Sequence, residues 1–237
     1  MKRLAATISL CMMAVLAPVA PAGQAPAASS GQSNSAAHPA THPRTTNMSD
    51  PALLHPASLT AKAPDSFQVK FTTTKGDFVV DVTRSWSPVG ADRFYNLVKH
   101  GFFTDAAFFR NVPGFIVQFG LSADPAVNKV WRNANIKDDQ VTQSNAPGTI
   151  TFATAGPNTR TTQLFINFGN NTFLDSQGFS PFGKVSSGMD VVQKLYSGYG
   201  ERPDQGAITT QGKAYLDKNF PNIDYIKSAA IVAPAAH

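Results

Sequence analysis

The sequence predicts a mainly β domain: a closed antiparallel β-barrel capped by two α-helices. Three observations lead there. Residues 67–83, "FQVKFTTTKGDFVVDVT", alternate apolar and polar side chains on either side of a "TKGD" turn, the period-two pattern of a β-hairpin. Short strand-like runs recur at 108–111, 115–120, 148–153, 163–167, 179–185 and 223–232, with no internal repeat. Two stretches carry helical periodicity, and many short strands with two helices fit a barrel with covered ends.

From the N-terminus, residues 1–25 read as a signal peptide. Lys2 and Arg3 precede the apolar body "LAATISLCMMAVLAPVA", and "APA" at 20–22 and "GQA" at 23–25 are small-residue cleavage candidates. Thr7, Ser9 and Pro18 interrupt the run, which is short for a bilayer span. The expectation is an exported protein, periplasmic or secreted, with no stable membrane insertion after processing. The only cysteine, Cys11, lies inside this leader, so disulfides, thiol catalysis and thiolate metal sites are excluded from the mature chain. Residues 26–64 are rich in Ala, Pro, Ser and Thr. They read as a disordered linker, unable to bury enough apolar surface to offset the entropy of ordering. His38, His42 and His55 fall within it and read as solvated.

After the hairpin, "SPVGADRFYNLVKHG" at 87–101 predicts an amphipathic helix. Ser87 suits the N-cap, Pro88 the first turn and Gly101 the stop, while Phe94, Leu97 and Val98 share one face. "GMDVVQKLYSG" at 188–198 predicts the second, with Met189, Val192, Leu195 and Tyr196 inward, and "QGKAYLDKNF" at 211–220 reads as an added short helix before the last strand. One domain over 65–230 and a tail at 231–237 complete the plan.

Charge and composition then exclude function classes. The formal charge is +5, but residues 1–64 hold four of the 20 Lys and Arg and one of the 15 Asp and Glu. The remainder, 16 against 14, is near neutral. No Lys/Arg cluster with interleaved aromatics is present, so nucleic-acid binding is not expected. Outside the linker and the terminal His237 the domain has one histidine, His100, placed where a helix C-terminus favours its charge. A two-histidine metal site is therefore not available, and a His-based triad would have to be built on His100 alone. Asp138 and Asp139 read as loop, and "GPNTR" and "FGNN" lack the spacing and lysine of a phosphate loop.

What remains is an apolar surface with one strong cation, Arg110, in "FFRNVPGFIVQFG" at 108–120. One reaction class needs little else. Rotation about an X–Pro imide breaks no bond, and its barrier of ~18–20 kcal/mol comes from amide resonance. In the twisted state the nitrogen regains a lone pair, and a guanidinium aimed there binds the transition state better than the ground state. Arginine suits this because it stays charged and presents rigid donors.

The same segment resembles the signature of the cyclophilins: Phe-His-Arg, two residues, Pro-Gly-Phe, two residues, Gln-Gly-Gly. "TFATAGPNTRTTQLFIN" at 151–167 and "FLDSQGFSPFGKVSSGMDVV" at 173–192 resemble that family's second and third blocks, in order, and the resemblance spans about 67–230. It implies an eight-stranded barrel with peptidyl-prolyl cis-trans isomerase activity and no cofactor or metal. It places Arg110 as the catalytic arginine and Phe115, Ile116, Phe165 and Leu174 as the proline pocket. Gln118 matches the glutamine that supports the arginine and contacts the peptide. Ala153 and Thr154 match the segment that pairs with substrate backbone, and Gln163 the glutamine flanking the groove. Phe173 stands where many members have a tryptophan, which implies weaker cyclosporin sensitivity, and Phe179 where a histidine is usual. Phe108, Phe109, Phe119, Phe152 and Phe168 are left as barrel core. The expected partners are proline-containing segments of unfolded or partly folded exported proteins, handled by a monomer. The alternative is a cyclophilin-like binding module, a chaperone or assembly factor, with little turnover.

Overall fold

The computed structural model describes residues 50–232. Strands β1 (Ser66–Thr73) and β2 (Gly76–Thr83) form the anticipated hairpin, with Phe71 opposite Phe78. Their alternation buries Phe67, Val69 and Phe71 on one strand and Phe78, Val80 and Val82 on the other. The remaining strands are β3 (Arg110–Val112), β4 (Ile116–Phe119), β5 (Thr149–Phe152), β6 (Leu164–Asn167), β7 (Pro181–Ser187) and β8 (Ile226–Val232). They run antiparallel in the order β3-β4-β6-β5-β7-β2-β1-β8.

The expected closed barrel is thus a curled eight-stranded sheet, because no ladder joins β3 to β8. Its two ends are stitched at one corner by the segments that lead into those strands: Phe108 donates to the Asp224 carbonyl at 3.0 Å and Ile226 to that of Ala106 at 2.9 Å. The core inside the curl is aromatic. Phe71 stacks on Phe78 with ring centroids 4.7 Å apart, and Phe94 meets Phe182 at 4.9 Å. Phe108, Phe119 and Phe152 also lie in this core, as anticipated, with Phe168 packed against it. Phe109 instead joins a second apolar cluster with Leu121, Ile208, Leu216 and Ile223.

Helix α1 (Pro88–Lys99) lays Phe94, Leu97 and Val98 on the sheet. Its N-cap differs from the expectation. Ser87 makes no capping bond; its hydroxyl donates to Asp139 Oδ2 at 2.6 Å, and Asp139 accepts from the backbone of Val89 (3.0 Å) and Gly90 (2.9 Å). A carboxylate from a distant loop therefore satisfies the first turn, and buried Arg160 holds it there at 3.0 Å. Asp139 is structural, where the sequence alone suggested an idle loop residue.

Residues 50–64, expected as the end of the linker, are ordered on the domain in the described structure. Residues 51–54 and 56–58 form 3-10 turns, and Leu53 is only 1% exposed. Trp131 Nε1 donates to the Leu53 carbonyl at 2.7 Å, and Asn96 bonds Ala61 through both backbone groups, at 2.7 and 3.2 Å. Composition hid this, because the segment is held by hydrogen bonds and a few unpatterned apolar side chains, Leu53, Leu59 and Ala63. The leader, and the linker before Asp50, lie outside the described residues, as does the tail after Val232.

Three further helical differences stand out. Helix α2 (Pro125–Trp131) was not anticipated, although Asp124 caps it by accepting from Ala126 at 2.8 Å. The second expected helix shrinks to α3 (Met189–Gln193), and the extension holds α4 (Gln205–Gln211) and α5 (Lys213–Asn219) where one helix was expected. Among the described residues no helix is long and apolar enough to cross a membrane.

Candidate active site

The "RNVPGFIVQF" segment folds as a hairpin because Pro113 and Gly114 turn it. Phe115 donates to the Val112 carbonyl at 3.0 Å, and Gly114 takes φ +76°, the combination a type II turn requires. The register follows. Arg110 faces Gln118 across β3–β4, and Gln118 faces Phe165 across β4–β6, so all three project from one face of the sheet. Their chain neighbours Val117, Phe119, Leu164 and Ile166 alternate to the other face and fill the core. Period two therefore separates site from core within the same strands.

On the site face, Ile116, Phe165 and Leu174 form an apolar cluster distinct from the core, with Phe115, Ala153 and Phe179 packed against it. Phe173 stacks on Phe115 at 6.1 Å while 48% exposed, so it is an apolar rim open to solvent. Phe179 meets Phe165 edge-on at 5.7 Å. The polar side is a chain. Arg110 Nη1 donates to Gln118 Oε1 at 3.3 Å, and Gln118 Nε2 donates to Gln163 Oε1 at 2.8 Å. The guanidinium lies over the Phe115 ring, 5.7 Å from its centroid. Its other edge is engaged by Glu201, with Nε donating to Oε1 at 2.6 Å and Nη2 at 2.5 Å from the same oxygen.

The structure thus gathers Arg110, Phe115, Ile116, Gln118, Ala153, Gln163, Phe165, Phe173 and Leu174. Thr154 adjoins them through the chain, but its hydroxyl turns to the Gly156 carbonyl and the Thr159 hydroxyl, inside its own loop. Gly120, with φ +102°, fixes the approach of β4 to this loop: a Cβ there would lie 2.3 Å from the Thr162 carbonyl oxygen.

Sequence reasoning missed three features. Glu201 carries no local signal, coming 91 residues after Arg110. Phe179, read from sequence only as standing where a histidine is usual, packs against the apolar cluster. Beneath it runs a buried amide network: Asn171 donates to the Phe115 carbonyl (3.0 Å) and to Asn167 Oδ1 (2.7 Å), and Asn145 donates to the Phe179 carbonyl (2.9 Å) and to Asp175 Oδ1 (2.8 Å). Burial works to raise the Asp175 pKa, but the bonds from Ser144 and Asn145 outweigh it and hold the carboxyl below its ordinary value. The only partial signal in the sequence was the asparagine-rich "FGNN".

Among the described residues, no group of three or more His, Cys, Asp or Glu could hold a metal ion. The arrangement offers an apolar cluster with an exposed aromatic rim, a cation held at its edge and amides beside it.

Residues 68–212 match the sequence profile described as cyclophilin type peptidyl-prolyl cis-trans isomerase/CLD. The chain belongs to this family. Among cyclophilins and their relatives, it is 32% identical over 143 residues to a peptidyl-prolyl cis-trans isomerase of Acinetobacter baylyi, covering 58% of this chain and 76% of that protein. It is 34% identical over 149 residues to peptidyl-prolyl cis-trans isomerase A of Dickeya dadantii, covering 58% and 78%. The cyclophilin fold is shared with a Cryptosporidium parvum cyclophilin-type isomerase, at TM-score 0.55 and 21% identity over 71% of this chain and 99% of that one. The same parasite enzyme has been crystallised in the presence of the dipeptide Ala-Pro, and that structure matches at TM-score 0.54 and 22% identity, over 70% and 99%.

Proposed function

We infer that this cyclophilin catalyses cis-trans isomerisation of X–Pro bonds, with the Ile116–Phe165–Leu174 cluster as the proline pocket and Arg110 as its electrostatic tool. One observation carries the assignment of roles. A guanidinium is held at the lip of an apolar cluster that lies outside the barrel core, where packing alone would not require a charge. The ring of a substrate proline would pack on this cluster beside Phe115 and Phe173. Arg110 would then donate to the imide nitrogen as it pyramidalises, an interaction stronger in the twisted state than in either planar isomer. Gln118 and Gln163 orient this donor, and the strand end at Ala153–Thr154 offers backbone to the peptide.

The test is exchange NMR on an Ala-Pro peptide with the folded protein and Arg110→Ala. The substitution is expected to lower turnover by ~10²–10³-fold, the range for losing one preorganised donor. Peptide affinity should change far less, and stability by no more than about 1 kcal/mol for a part-exposed ion pair. Equal turnover in both proteins would refute the role. Binding without turnover in either would favour a chaperone or assembly module.

The clients we propose are exported polypeptides, on the strength of the basic start and apolar run of residues 1–25. Sequencing the N-terminus of the protein recovered outside the cytoplasm tests this. A start near residue 23–26 supports export, and an intact Met1 in the cytoplasmic fraction contradicts it.

A further inference from the structure

The segment between α3 and β8 builds its own small apolar cluster and folds back beside β3. Ile208, Leu216 and Ile223 pack with Ala107, Phe109 and Leu121, and Tyr199, Tyr215, Phe220 and Tyr225 cover them. Phe109 is the residue before Arg110, so this cluster anchors on the strand that carries the arginine. Asn111, the residue after Arg110, ties the segment twice more: its Nδ2 donates to the Leu195 carbonyl at 2.8 Å, and its backbone N–H to that of Gly200 at 3.1 Å. The residue after Gly200 is Glu201. Its side chain is 63% exposed, yet its carboxylate oxygen takes both Nε and Nη2 of Arg110.

We propose that residues 194–225 are an arm whose task at the site is to present Glu201 as the positioning residue for Arg110. Arg110 has a long side chain with ~2 kcal/mol of rotamer entropy, and on the pocket side a single 3.3 Å hydrogen bond to Gln118 restrains it. Hydrogen bonds on two edges of a planar group fix its plane and rotation, which one bond cannot do. Glu201 occupies the Nε–Nη2 edge and leaves the Nη1 side with Gln118 and the Phe115 ring. The backbone that carries Glu201 is itself tied to β3 through Gly200, so the strand sets which residue stands opposite Arg110, and the side chain has only to span the remaining gap. The carboxylate also draws charge from the guanidinium. That loss is the smaller effect, because the pair is open to solvent and screened, whereas misplacing a reacting group by 1 Å can cost ~10²-fold.

This inference rests on Arg110 as the catalytic residue, and the test separates the two. Exchange NMR with an Ala-Pro peptide would compare the full chain with Glu201→Ala, Glu201→Gln, Arg110→Ala and Arg110→Ala/Glu201→Ala. Glu201→Ala is expected to lower the isomerisation rate about tenfold, with peptide affinity within about twofold and an unchanged melting temperature. Glu201→Gln, which keeps an acceptor oxygen, should recover most of that loss. In the Arg110→Ala background, Glu201→Ala should change nothing further. Glu201→Ala at wild-type rate, beside an inactive Arg110→Ala, would overturn the positioning role and leave the arginine's intact. A faster Glu201→Ala would also overturn it, making the carboxylate a brake, as would an equal loss in the Arg110→Ala background. An Arg110→Ala protein at wild-type rate would remove the catalytic reading and this one together.

Discussion

Three partners hold the Arg110 guanidinium among phenylalanines: Glu201, Gln118 and the face of Phe115. Gln118 is the hinge of that set, since it also donates to Gln163. Gln118→Ala removes the pocket-side restraint and leaves Gln163 Oε1 without this donor. The expected result is a turnover loss of about tenfold, a stability loss of ~1–2 kcal/mol, and little change in peptide affinity. Peptide titration beside exchange NMR checks it; a loss confined to affinity would place Gln118 in binding instead. At this scale the sequence was informative where the site is local. Arg110, Ile116 and Gln118 share one face of a single hairpin by period two, with Phe115 beside them at its turn, and their site roles were legible through the motif they form together. Glu201 was illegible for the opposite reason. Nothing near it in the chain says that Gly200 will dock on β3, and an exposed glutamate in a loop has no pattern to read.

Elements repeat this division. The β1–β2 hairpin and α1 were legible because their burial is periodic, and period is what a sequence displays. The α1 N-cap was not, because Asp139 reaches it from 50 residues away at Val89. The segment 51–63 was equally hidden: its turns are too short for a period, and it is held from elsewhere in the chain by Trp131 at Leu53, Asn96 at Ala61 and Asp92 at Ala63. A measurement follows from that segment. Leu53→Ala takes a fully buried side chain from beside α2, and should destabilise the domain by about 2–5 kcal/mol. Urea denaturation would report it as a lower midpoint, with the sheet's far-UV signal unchanged before the transition. An unaltered midpoint would mean that these residues ride on the surface and add nothing to the fold.

Across the whole molecule, two peripheral attachments, residues 61–63 and the loop holding Phe179, share a dependence on ionised carboxylates. Burial works to raise the Asp92 pKa, but Arg84, donating to both oxygens at 2.7 Å, and the Ala63 backbone at 2.8 Å outweigh it and hold it below 3.8. Asp175 under the pocket is lowered in the same way by Ser144 and Asn145. A carboxyl whose pKa falls on folding contributes stability above its unfolded value. That contribution is lost as pH drops through the folded value. Stability should therefore hold from pH 7 to about 5 and fall steadily towards pH 3, while Asp50, Asp77 and Asp190, open to solvent, add little. The aromatic core carries no titrating group in this range, so acid should first loosen what Asp92 and Asp175 fasten: residues 61–63 and the loop holding Phe179. Hydrogen exchange at pH 4 and pH 6 distinguishes the order. Faster opening of the backbone at Ala63 and Asn145, with β1 and β2 still protected, is the expected outcome, and uniform loss across the sheet would contradict it. Isomerase activity should decline in the same interval as the Asn145 amide loses protection, because Asn145 holds both Asp175 and the Phe179 carbonyl in place behind the pocket.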